Sequence, residues 1–171
     1  MKEILKNKSS DDYGNNYQAH VLEMYKMYVE MADRISSRRQ TANSFFLSIN
    51  SAIIGFSGYV KISNSNANSL VIIALAGILL CFVWYRLVRS YKDLNSGKFK
   101  VIHEIEKELP LSPFDAEWEA IGRGKDSRLY LPFTNLELRI PLIFAFLHFV
   151  LFLTSVHWYE CYYWIRDLIC N

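Results

Sequence analysis

His103-Glu104-Ile105-Glu106-Lys107 places a histidine beside a carboxylate, as in a zinc-protease helix. There, two histidines four residues apart share one face and hold the metal while the glutamate acts as general base. The second ligand position holds Lys107, so no zinc site is expected. Gly122-Arg123-Gly124-Lys125-Asp126-Ser127 has the outline of a phosphate loop. Its first glycine position is taken by Glu119, and Asp126 stands where a serine or threonine should follow the lysine. Glu104, Glu106, Glu108, Asp115, Glu117 and Glu119 offer paired carboxylates for acid–base work, but solvated helix faces account for them better. His20, His103, His148 and His157 are scattered, and Cys81, Cys161 and Cys170 lack metal-ligand spacing. The expectation is therefore a protein without catalytic, cofactor or metal residues, and not an enzyme. Cys161 and Cys170 are expected to remain thiols, a disulfide between them being the alternative if the tail is periplasmic.

The elements that must carry these residues are set by hydropathy. Hydrophobic residues make up 51% of the 171-residue chain, and they are clustered. Crossing a hydrocarbon layer as a helix takes roughly 20 apolar residues. Three stretches meet that need, giving spans at 42–62, 70–88 and 140–159. The second holds Arg86 near its end, where a guanidinium can snorkel to the headgroups. The expected fold is all-α and membrane-embedded: three transmembrane helices, an N-terminal amphipathic helix within 1–41, and a helical region at 89–139 between spans two and three. Residues 1–41 contain charges throughout and no apolar signal segment, so the first span is expected to be an uncleaved anchor.

Charge sets the orientation. Seven lysines and arginines lie in 1–41 and ten in 86–139, against Lys61 and Arg166 elsewhere. The positive-inside rule then places 1–41 and 89–139 in the cytoplasm of a bacterial-type membrane. The 63–69 loop and the 160–171 tail lie outside. Trp158, Tyr159, Tyr162, Tyr163 and Trp164 read as an interfacial aromatic belt. Ten basic residues in 86–139 are offset by nine acidic ones, which excludes a basic field for nucleic acid.

Tyr17, Val21, Tyr25 (or Met24), Tyr28, Met31 (or Ala32) and Ile35 repeat every three or four residues in an amphipathic helix; it could lie on the membrane surface, but its polar face of mixed charge favours packing on the other cytoplasmic helix. Leu87, Tyr91, Leu94, Val101, Ile102, Ile105 and Leu109 extend the second span outward. Gly97 is a weak point, and Leu109-Pro110-Leu111-Ser112-Pro113 is the stop. A short acidic helix over 115–121 and a glycine loop follow. Thr134 and Glu137 form a capping box for the last helix, and Pro141 should kink or restart it at the membrane surface.

The first span divides by helical angle. Asn43, Ser44, Ser48, Asn50, Ser51, Gly55, Ser57 and Gly58 fall mostly on one side; Phe45, Phe46, Ile49, Ile53, Phe56 and Val60 fall mostly on the other. The second set suits lipid. The first suits close helix packing within or between subunits, since small residues let backbones approach; it is also what a wet pore would need. Ser44, Ser48, Asn50, Ser51, Gly55 and Gly58 are thus the candidates for an oligomer or pore face. His148, inside the third span, is expected to form an interhelical hydrogen bond. At 54 residues, 86–139 is too short for a self-sufficient core, so packing on 17–41 and on other subunits is expected.

The series Arg89-Ser90-Tyr91, Leu94-Asn95, Lys98-Phe99, Val101-Ile102, Ile105-Glu106, Leu109-Pro110 and Glu117-Trp118 continues through Tyr130, Pro132, Thr134 and Glu137 to Ile140-Pro141. It resembles the RipA family of octameric membrane proteins over roughly 84–141. The resemblance implies an octameric homo-oligomer of the cytoplasmic membrane, with lipid and itself as partners, no cofactor and no catalytic residues. Within the block, Glu106, Trp118, Tyr130, Glu137 and Pro141 read as helix-joint residues: a buried carboxylate, aromatic wedges and a kink. The leading functional expectation is a non-enzymatic scaffold or channel-like assembly. The alternative is a membrane-disrupting effector of bacterial defence, triggered by a cytoplasmic protein partner.

Overall fold

The computed structural model describes residues 5–63, 67–126, 128–130 and 133–156. The interfacial belt, Cys161, Cys170, His157 and the middle of the 63–69 loop lie outside the described residues. The described elements are helical: α1 (Ser10–Tyr13), α2 (Tyr17–Ile62), α3 (Ala67–Glu106), α4 (Pro113–Ala120), a 3-10 turn at Gly122–Gly124 and α5 (Phe133–Ser155). The amino-terminal helix and the first span are one helix, α2. The second span continues into α3 without a break at Gly97. Its stop comes at Glu106, just ahead of the proline pair.

The chain divides into two compact units. The first joins Met1–Thr41 to Val88–Leu136. In it, Ala32, Ile102, Ile105 and Glu106 are buried, while Tyr17, Val21, Tyr25, Tyr28 and Ile35 are half-buried. Leu22, Met24, Met27 and Met31 are exposed, so the outer side of this part of α2 is not uniformly polar. Lys98 of α3 sets its ammonium 4.4 Å from the centroid of the Tyr28 ring, a cation–π contact. After α4 the chain reverses through Gly122, Arg123 and Gly124, with φ of 69°, 53° and 69°. Glycine adopts this left-handed conformation readily, whereas Arg123 is held there while its guanidinium bonds Asp115 and Glu119.

The second unit joins Ala42–Leu87 to Glu137–Asn171. Its buried positions are Phe46, Asn50, Ser57 and Val60 on α2; Leu70, Ala74, Gly77, Cys81 and Trp84 on α3; and Glu137, Pro141, His148 and Ser155 on α5. Within each helix these are three, four or seven residues apart. That 3.5-residue repeat keeps one seam of each helix turned to its neighbours. The outside is apolar: Phe45, Phe56, Tyr59, Ile72, Leu79, Phe82, Ile143 and Phe146 are all exposed. Polar side chains inside and large hydrophobic ones outside invert the pattern of a water-soluble domain. The three helices are each long and apolar enough to cross a membrane.

Two expectations are corrected here. Phe46 and Val60, assigned to lipid, are 8% exposed and belong to the interior, because they share the seam of Asn50 and Ser57. The last helix does not restart at Pro141; it runs through it from Phe133. Pro141 has no N–H to give the Glu137 carbonyl, but the surrounding turns hold. Since α5 begins at Phe133, Thr134 is not its N-cap, and the Thr134 side chain lies outside the described residues.

Candidate functional site

Each unit is organised around a buried polar group, and the second also carries an open stripe. In the second unit, Asn43, Asn50 and Ser57 recur at intervals of seven on α2, so all three fall on its inner seam. Asn50 is 0% exposed. Its Nδ2 donates to the Phe46 carbonyl at 2.8 Å, which fixes the direction of the amide. Its Oδ1 then accepts from the Cys81 thiol at 3.2 Å and from His148 Nε2 at 3.1 Å. An amide oxygen only accepts, so the His148 hydrogen is on Nε2. Three spans thus meet at one oxygen. His148 Nδ1 is buried and has no hydrogen-bond partner among the described residues. The His148 ring lies against Gly77, where an added Cβ would overlap the imidazole. Glycine is therefore what lets α3 and α5 approach here.

Seven residues earlier on α2, Asn43 repeats the arrangement. It accepts from Trp84 Nε1 at 2.8 Å and donates to Glu137 Oε1 at 2.9 Å. Trp84, 1% exposed, stacks on Phe46 at 5.9 Å between centroids and 10° between planes; it also meets Phe144 at 6.0 Å. Polar groups at two levels of one seam fix the register of the spans, because a slip would leave each without a partner in an apolar medium.

The burial of Asn50 corrects its assignment to an oligomer or pore face: that side chain is consumed inside the subunit. Ser44, Ser48, Ser51, Gly55 and Gly58 are a different case. They follow one another at intervals of four, three, four and three, and all five are exposed. A Cβ added at Gly55 or Gly58 would meet nothing within 4 Å. The first span thus has two heptad seams, one filled by its own chain and one open.

In the first unit the centre is Glu106, 0% exposed. Its Oε1 accepts from the Tyr25 hydroxyl and from the Phe114 amide, both at 3.0 Å, and its Oε2 accepts from the Asp115 amide at 3.2 Å. These amides belong to the first turn of α4, whose own N-cap, Ser112, makes no side-chain capping bond. Glu106 supplies the missing cap from the end of α3, where a negative charge also suits the helix dipole. Phe114 is packed between Tyr25 and Phe99, at 6.4 and 5.6 Å. Of the other joint candidates, Glu137 is 5% exposed and Pro141 is buried. Trp118 and Tyr130 meet edge to face at 6.4 Å but remain 36% and 38% exposed, so they are not wedges in a core.

Burial, and then the Glu106 carboxylate, push the Tyr25 hydroxyl up to about 12 from its ordinary 10. The neutral phenol is favoured in the fold, so its contribution is intact below pH 10 and is lost as pH rises through about 12. Phenolate absorbance followed against a Tyr25→Phe variant should therefore show one tyrosine ionising late. Ionisation of Tyr25 with the exposed tyrosines would contradict the Glu106 bond.

The burial of Glu106 corrects the solvated helix face expected for it among the acidic residues; Gly77, Cys81, Trp84 and Tyr25 were not among the site candidates. The available signal was the seven-residue recurrence itself, in Leu70, Gly77 and Trp84 and in Pro141, His148 and Ser155. Among the described residues, no group of three or more histidine, cysteine, aspartate or glutamate side chains is arranged to hold a metal.

No curated protein and no solved structure matches the chain. Residues 22–157 match the model of the octameric membrane protein family (8xMP), a stretch that covers α3, α5 and all of α2 after its first five residues. The chain is a multi-pass membrane protein and belongs to the octameric membrane protein family.

Proposed function

We propose that the protein is a non-enzymatic homo-oligomer, an octamer as its family is described, that forms a scaffold in the bacterial cytoplasmic membrane. The observation that carries this reading is the open stripe of Ser44, Ser48, Ser51, Gly55 and Gly58. A heptad of small residues in a span is what a second helix needs in order to pack closely, since association within lipid depends on van der Waals fit and hydrogen bonds. With Asn50 consumed inside the subunit, only hydroxyls and glycines remain on the stripe. That favours helix packing over a water-filled lining. The amphipathic amino-terminal helix and the 89–139 region form the cytoplasmic part, with the amino terminus inside, as the lysine and arginine asymmetry requires.

The test is the native mass of the detergent-purified protein beside a Ser51→Leu, Gly55→Leu variant. The wild type should run as a closed ring, and the variant as single chains or small fragments of the ring. An intact ring in the variant would make the stripe a lipid-facing surface and remove the proposal.

A further inference from the structure

We propose that the first unit holds a binding site for a small planar aromatic anion, between the segment before α2 and the facing turns of α2 and α3. The site goes beyond the assembly reading and does not depend on it. A half-open cavity of about 380 Å³ lies there, within the size range of small-molecule pockets. Val21, Met24 and Ile105 supply aliphatic lining, and rings surround them: Tyr13, Tyr17, His20 and Tyr28.

All four of these rings are held by neighbours, which lowers the entropic cost of binding. Tyr13 stands edge to face with Tyr17 at 5.9 Å and with His20 at 5.6 Å. Its hydroxyl is 2.8 Å from His20 Nδ1. The Lys98 ammonium lies over one face of the Tyr28 ring. Ring faces and edges in this arrangement accept a flat π-system in preference to a flexible chain.

The charge for the head group comes from the same segment. Lys6 and Lys8 line this cavity and also an adjoining polar one of about 460 Å³, to which Ser9, Ser10 and Gln18 contribute. Lys6 bonds Glu108 at 2.6 Å, tying the segment to the turn that follows α3; the carboxylate keeps the ammonium charged by raising its pKa. Of the two carboxylates that line the polar chamber, Glu108 is paired by Lys6, while Asp12 accepts the Ser9 hydroxyl at 2.7 Å and keeps its charge. Lys8 is left to meet a carboxylate or phosphate. An aromatic chamber opening onto a polar one past two ammonium groups matches a flat apolar body with a single anionic head. An aromatic acid and a nucleotide share that chemistry.

The experiment uses the full chain in phosphatidylcholine nanodiscs, titrated by calorimetry with 2-naphthoate, 2-naphthyl phosphate and adenosine monophosphate. 2-Naphthyltrimethylammonium is the cationic control. At least one anion should bind saturably and the cation should not. Lys8→Glu should weaken the anion at least about tenfold, and Met24→Trp, which fills the chamber from an exposed position, should abolish binding. Binding of adenosine monophosphate along with naphthyl phosphate would identify the ligand as nucleotide-like, whereas binding of the naphthyl anions alone would identify an aromatic acid. Three results would each overturn the site: no saturable anion binding, cation binding of equal strength, or anion binding unchanged in either variant.

Discussion

Gly77→Val is expected to lower the stability of the transmembrane unit by about 2–3 kcal/mol, the usual cost of forcing extra carbon into a packed interior. The new side chain would have to occupy space held by the His148 imidazole. Yielding by His148 would break its bond to Asn50 Oδ1, and with it the one oxygen at which three spans meet. The measurement is the thermal unfolding midpoint in detergent, run as a double-mutant cycle with His148→Ala. Taken alone, His148→Ala should also destabilise, because it removes an interhelical hydrogen bond, on average about 0.6 kcal/mol in membranes, and leaves a cavity the size of a buried imidazole. In the double variant the valine fills space the imidazole has left, so the two effects should be strongly non-additive. A harmless Gly77→Val, or a double variant that merely sums the two losses, would show that α3 and α5 do not approach at this level.

Glu106→Ala is expected to have an effect of similar or larger size in the other unit, about 2–4 kcal/mol. The change removes a buried acceptor of three hydrogen bonds and leaves the Phe114 and Asp115 amides and the Tyr25 hydroxyl without it. Charged acceptors at a helix N-terminus are worth more than neutral ones, so Glu106→Gln should fall between wild type and alanine. Hydrogen exchange at Phe114 and Asp115 gives the local reading. Protection there should collapse in the alanine variant while the amides of α5 keep theirs. Unchanged protection of the two amides would mean that α4 is capped by some other group. A helix of eight residues has too few internal bonds to persist uncapped, which is why the loss should be concentrated there.

The all-helical class and the three spans follow from the sequence alone. Span recognition depends on a local property, the length of an uncharged apolar run against the thickness of hydrocarbon, so no tertiary information is needed. Glu106 and Glu137 belong to the family-like series, but the Tyr25 and Asn43 side chains that bond them are 81 and 94 residues away, on segments whose pairing no local rule supplies. The faces of the spans were least legible. In water, an apolar stripe against a polar one reveals the buried side; in lipid the surroundings are as apolar as the interior, and that contrast disappears. Phe46 and Phe45 are adjacent and alike, yet one is buried under Trp84 and the other exposed. Asn50 and Ser51 are both polar and both suit helix contact, and helical angle alone placed them on one side. The fold separates them, because the position of α3 and α5 around α2 decides which seam is filled by the chain itself and which remains open.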